Sequence, residues 1–188
     1  MTAHAPLSAR RAAILVEEDF EDRELPQLLE CLREAGMTVT IVGPSADTEY
    51  RGKRLEATVR SDIAAGKAKI KDFDIVVVPG GYAPDRIRLR HAMVDLVRDA
   101  LDAGKPVAAI DRGAQVLITV NALRGRTVTC WPSIAIDVKN AGGKYVDRPV
   151  VEDGQVITAR KWDDVPAFST AIVKAAGAPL AGAGHTQR

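Results

Sequence analysis

The chain has 188 residues, 46% of them apolar, which is enough for one substantial core and favours a single domain over two. Lysine and arginine number 26 against 25 acidic residues, and no block of like charge runs along the chain, which argues against a nucleic-acid partner. The two cysteines, Cys31 and Cys130, stand far apart without C-x-x-C spacing, supporting neither a disulfide framework nor a cysteine zinc site and favouring a reducing, cytoplasmic setting.

The opening MTAHAPLSARRAAILVEEDF has too short an apolar run for a signal peptide, and no stretch is long enough to span a bilayer, so no membrane partner is expected. AAILV (12–16), VTIV (39–42), DIVVVPGG (74–81) and PVAAI (106–110) are short, mostly β-branched runs bounded by charged, glycine or proline residues, and they read as strands buried on both faces. Helical spacing separates them. Residues 24–35 place Leu25, Leu28, Leu29 and Leu32 on one face, and 91–103 carry Met93, Val94, Leu96, Val97 and Leu101, with a further helix at 114–122. Gly36 and Gly104 follow the first two helices, as left-handed C-terminal residues do. Strands alternating with helices imply right-handed crossovers and a mostly parallel sheet covered on both sides. VVEDGQVITA (150–159) holds an Asp-Gly turn between two β-rich segments and predicts a small C-terminal hairpin, followed by a helix over 165–176. The expected organisation is a flexible tail at 1–10, one domain at 11–176 and a second tail at 177–188.

In such sheets, ligands bind at the loops after the carboxyl ends of the strands. The first such loop reads EEDFEDRE in place of G-x-G-x-x-G, so it repels a pyrophosphate and lacks the glycines needed to approach one. The next carries Pro79-Gly80-Gly81, whose accessible N–H groups suit an oxyanion, although a tight strand-to-helix turn explains the pair equally well. The third, Asp111-Arg112-Gly113, runs directly into a helix, which places residue 111 on a sharp elbow facing the crevice.

At these residues the chain resembles the DJ-1/PfpI family over about 11–176. FEDRELP (20–26), VVVPGGYAPDRIRL, LRGRTVTCWPSIAIDVKNAGG (123–143) and VEDGQVITARKWDDVPAF (151–168) resemble family segments in order, closest to the PfpI branch. The resemblance implies a flavodoxin-like, doubly wound α/β fold. In the family the elbow presents a nucleophilic cysteine, often beside a histidine, with a glutamate from the acidic loop bonded to the thiol. On that mapping Asp111 takes the cysteine position, Arg112 the histidine position and Glu24 the partner glutamate, while Gly80, Gly81 and Gly113 line an oxyanion or binding site. Asp85 matches an acidic residue that relatives offer to a neighbouring subunit, where it would face Arg112, and Cys130 and Trp131 border the pocket. Lys161-Trp162 replaces the family's Gly-Pro and reshapes that pocket.

A carboxylate is a poor nucleophile toward amides and aldehydes, so peptidase, deglycase or glyoxalase chemistry through residue 111 should be lost. Cys31 falls on a helix as a small hydrophobe; His4 and His185 lie in the tails and His91 opens a surface helix, leaving no general base in view. Two facing carboxyls at positions 24 and 111 should share a proton, unless Arg112 and water neutralise Asp111. Three functions compete: a stress-protection or small-molecule- or anion-binding protein without the Cys-His pair; a divergent hydrolase or hydratase using Asp111 and Glu24; and ordinary family cysteine chemistry through another residue such as Cys130. The resemblance calls for a homo-oligomer, a dimer or hexamer; no cofactor or metal is expected.

Overall fold

The computed structural model describes residues Arg10–Gly177, so the expected tails, and with them His4 and His185, fall outside the described residues apart from Arg10 and Gly177 themselves. In chain order the elements are β1 (Arg11–Leu15), α1 (Glu24–Glu34), β2 (Thr38–Gly43), β3 (Glu49–Arg51), β4 (Thr58–Arg60), β5 (Ile63–Ala64), β6 (Ile75–Val78), α2 (Ala83–Ile87), α3 (His91–Asp102), β7 (Val107–Ile110), α4 (Ala114–Thr119), β8 (Thr127–Val128), α5 (Ala135–Asn140), β9 (Lys144–Tyr145), β10 (Val150–Asp153), β11 (Val156–Ala159) and α6 (Val165–Gly177).

Seven strands form one sheet in the order β10-β11-β7-β6-β1-β2-β5, parallel throughout except for β10 against β11. This is the expected flavodoxin-like architecture. The β-branched runs explain its centre: Ile75, Val76, Val77 and Val78 are all fully buried, as are Val107, Ala108 and Ile110. Each buried Val or Ile contributes roughly 1.5–3 kcal/mol, so a polar residue on either face of these strands would be costly. Leu25, Leu28, Leu29 and Leu32 of α1 all lie in the core, and α1 packs on α6. Helices α2, α3, α4 and α5 form a second connected group.

The C-terminal hairpin forms as expected, and β11 pairs in parallel with β7, so β10–β11 completes one edge of the main sheet. Two details depart from the sequence reading. Helix α4 stops at Thr119, because Asn121 turns left-handed at φ 57° and ends the helical path before Ala122. A second hairpin, β3–β4, was not anticipated, and neither were the short elements β5, α2, α5 and the parallel pair β8–β9.

The unforeseen hairpin is tied to the loop that follows β1. Asp22, buried within that loop, accepts hydrogen bonds from the N–H groups of Arg54 (2.8 Å), Glu56 (2.9 Å) and Ala57 (3.0 Å). Gly52 has to be glycine here, since a Cβ would stand 2.0 Å from Asp22 Oδ1. The clasp holds residues 52–57 over the carboxyl end of the sheet, where the chain order reverses between β1 and β6 and a crevice is expected.

Candidate functional site

Three loops converge at that crevice. The loop after β1 ends in Glu24, the first residue of α1, whose side chain is completely buried. The loop after β6 carries Gly80 and Gly81. Gly81 sits at φ 73°, and a Cβ on it would come within 2.5 Å of the Asp19–Glu21 backbone, so only glycine lets the two loops press together. Tyr82 N–H closes the contact by donating to the Asp19 carbonyl at 2.7 Å. The loop after β7 is a single 3₁₀ turn, Asp111–Gly113, that leads straight into α4. Gly113 fits beneath the end of β6, where a Cβ would lie 2.8 Å from the Val78 carbonyl oxygen.

Asp111 adopts φ 57°, a left-handed conformation that aspartate tolerates better than most residues, and it is 6% exposed. Its Oδ2 accepts the Gly81 N–H at 2.8 Å, while Oε1 of Glu24 accepts the Gly80 N–H at 2.6 Å. Asp111 Oδ2 and Glu24 Oε2 lie 2.6 and 2.7 Å from the point where a Cβ on Gly80 would stand, so the two carboxyls crowd around one glycine. Glu24 Oε2 is buried and has no hydrogen-bond partner among the described residues. The paired glycine N–H groups were expected to face a ligand; in the fold the protein's own carboxyl groups take them.

Burial, reinforced by the nearby Asp111 charge, raises the Glu24 pKa well above the ordinary carboxyl value, against the pull of the Gly80 N–H. Asp111 is also raised, again mainly by burial; the N–H groups of Gly81 and Arg112 and the charges of Arg112 and Lys53 work against the shift. A proton held on Glu24 would relieve one of two neighbouring buried negative charges, in line with its raised pKa.

Arg112 makes no ion pair among the described residues. Its guanidinium lies 5.0 Å from the Tyr82 ring centroid and 5.8 Å from that of Trp131, so stacking rather than a carboxylate positions it. Trp131, half-buried, donates its backbone N–H to the Asp111 carbonyl at 3.1 Å, which ties the pocket wall to the elbow. Asp85 lies exposed on α2 and also enters no ion pair among the described residues. Cys130 is fully buried, and burial with the charges of Asp111 and Asp137 pushes its thiol up to about 12. Lys161 pairs with Asp163 at 2.7 Å, and Trp162 lies under Arg23 at 5.2 Å. His91 opens α3 on the surface. No group of three or more His, Cys, Asp or Glu side chains among the described residues is arranged to hold a metal ion, and no described helix is long and apolar enough to cross a membrane.

Two contributors were missed in the sequence. Lys53, delivered by the clasped hairpin, pairs with the buried Glu21 and sits 5.4 Å from the Tyr82 ring centroid, while its charge reaches both Glu24 and Asp111. Tyr82, 52% exposed, thus carries a cation from each of two loops. Nothing in the local sequence of 52–57 signals this, since the placement depends on Asp22, some thirty positions away.

A doubly wound sheet with a left-handed elbow after β7 and a buried glutamate beside it places the chain among the doubly wound α/β proteins. The DJ-1/PfpI family model matches residues 10–175, and the chain belongs to that family. Among curated proteins it is 37% identical to protein/nucleic acid deglycase 2 of Escherichia coli, over 90% of this chain and 99% of that one. It is 35% identical to general stress protein 18 of Bacillus subtilis, over 85% and 94%. Among solved structures it resembles a two-domain protein from Anabaena variabilis that contains DJ-1/ThiJ/PfpI-like and ferritin-like domains. That match has a TM-score of 0.85 and 39% identity, and it covers 88% of this chain and 47% of that longer one.

Proposed function

We propose that this chain is a DJ-1/PfpI protein in which Asp111 has replaced the family's nucleophilic cysteine, and that it acts in stress protection or in binding small molecules or anions. The observation that carries the reading is the elbow itself. At the position where relatives are expected to present sulfur, a carboxyl group accepts the Gly81 N–H and crowds against buried Glu24. A carboxylate matches a cysteine sulfinate in charge and roughly in shape, so the site is held permanently in a form that a thiol reaches only by oxidation. Arg112 and Lys53 put positive charge at its rim, which suits an anionic ligand. Asp85, offered to the Arg112 of a neighbouring subunit, and a cytoplasmic setting complete the reading.

The names of the relatives pull in two directions, toward deglycation and toward general stress, and the missing thiol favours the second. Cys130 does not rescue cysteine chemistry on this reading, because a buried thiol titrating near 12 supplies almost no thiolate at neutral pH. The test is a pair of measurements on wild type and Asp111→Cys. Wild type is expected to consume methylglyoxal at background rate and, under peroxide, to keep the mass of the peptide that holds residue 111, while the same peptide of Asp111→Cys gains two oxygen atoms. Wild-type turnover abolished by Cys130→Ser would sink the proposal, as would an Asp111→Cys thiol that resists oxidation.

One observation keeps a second reading in play: the unpartnered Glu24 Oε2 beside a second raised carboxyl is a poised proton donor, as hydration or hydrolysis of a small substrate requires. An ester trapped on Asp111, detected by peptide mass spectrometry after incubation with a substrate panel, would favour that reading over simple binding.

A further inference from the structure

Away from the elbow, a surface groove of about 440 Å³ is lined by Arg88, Gln115, Ile118, Asp137, Asn140 and Ala141, a volume within the range of small-molecule sites. Arg88, just past α2, is held in place: its Nε donates to Thr119 Oγ1 at 2.8 Å, and the Thr119 hydroxyl donates onward to the Gln115 carbonyl at 3.1 Å. Neither of its Nη groups forms a hydrogen bond among the described residues, so the guanidinium presents a preoriented fork suited to a carboxylate. Asp137 lines the same groove from α5, yet the two do not pair, and neither enters an ion pair among the described residues. Gln115 Oε1 is buried and accepts no hydrogen bond among the described residues, which leaves an acceptor in the groove without a donor. Ile118 and Ala141 add an apolar strip beside these polar groups.

We propose that this groove binds a free aliphatic α-amino acid. The α-carboxylate accepts from the two Nη groups of Arg88, the α-ammonium donates to Asp137 and to Gln115 Oε1, and the side chain lies along Ile118 and Ala141. The charge pattern selects a zwitterion. A simple anion answers Arg88 and is repelled by Asp137, a simple cation does the reverse, and an uncharged molecule leaves both charges without a partner. An amino acid carries both charges on one short frame, and its ammonium also brings the donor that the buried Gln115 oxygen lacks within the fold. Because Thr119 already holds the Arg88 side chain, little of its freedom is lost on binding. The apolar strip favours an aliphatic side chain over a third charge.

Titration of the full chain with L-valine and with L-leucine, followed by backbone amide NMR shifts, tests this. Saturable shifts are expected within 115–119 and 137–141, with Gly80, Gly81 and Asp111 unmoved, which separates the groove from the elbow. N-acetyl-valine has no ammonium and valinamide has no carboxylate, so each is expected to bind at least about tenfold more weakly than valine. Arg88→Gln and Asp137→Asn alter exposed side chains that pair with no opposite charge among the described residues, so both variants are expected to keep the wild-type unfolding midpoint. Each should nevertheless weaken valine binding by about tenfold or more. No saturable shift with either amino acid up to about 10 mM, shifts confined to the elbow, blocked forms that bind as tightly as valine, or variants that bind as wild type does would each overturn the proposal.

Discussion

Replacing Glu24 by glutamine removes one titration from the core and should change how stability depends on pH. The glutamate is completely buried, and burial with the Asp111 charge raises its pKa above the ordinary value of 4.5. Below that value folded and unfolded chains both carry the proton, and its stabilising contribution is fully present. As pH rises above 4.5 the unfolded chain releases its proton while the folded chain keeps it, so stability drains away until the pH passes the raised native value. Over that window the loss is about 1.4 kcal/mol for each pH unit per proton. Glutamine retains an oxygen for the Gly80 N–H and places an amide donor beside Asp111, with no charge to bury. Urea unfolding followed by tryptophan fluorescence, from about pH 5 to about pH 8, should show Glu24→Gln gaining on wild type as pH rises, at up to that slope and until the raised native value is passed. A stability difference that stays constant across the range would refute a shared, strongly held proton.

Asp22→Ala leaves three N–H groups of the hairpin without their acceptor and should cost roughly 1–3 kcal/mol, while speeding proteolytic cleavage within residues 52–57; unchanged cleavage would mean the clasp is dispensable. Gly80→Ala forces a methyl group to within 2.4 Å of the Asp111 Cβ and should lower stability by about 1–3 kcal/mol in chemical denaturation, whereas Gly66→Ala, with nothing within 4 Å, should be close to neutral. Native protein treated with iodoacetamide at mildly alkaline pH should be labelled at half-exposed Cys31 and spared at Cys130 until it is unfolded; rapid native labelling of Cys130 would contradict its burial and its raised pKa.

The parts of the fold that were legible are those where local composition and burial coincide. IVVV and VAAI read as central strands because every side chain in them is buried or nearly so, leaving no reason for alternation. The Asp153-Gly154 turn identified the C-terminal hairpin, yet its place beside β7 was not readable, since strand neighbours are chosen by tertiary pairing. EYR and TVR escaped notice because each is three residues long with a single buried position, and a parallel bridge from Phe20 to Gly52 and the Asp22 clasp hold them in place. At the site, Asp111, Glu24 and Gly80 could be brought together on the family mapping, and the fold brings them together. The company Arg112 keeps was not readable: its stacking partners Tyr82 and Trp131 come from two other loops, and no local pattern encodes which of several surfaces a long cationic side chain will cover.

The left-handed backbone at residue 111 limits which amino acids can occupy that position at all. A library randomised there would be filtered by folding before any chemistry could be scored. Glycine, asparagine and aspartate accept φ 57° most readily and an unbranched side chain such as cysteine at some cost, whereas valine, isoleucine and threonine meet the steepest steric penalty there, in a place with little solvent to relax into. The elbow therefore offers evolution a short alphabet, and a change of function at this position is confined to the few side chains that the turn itself will accept.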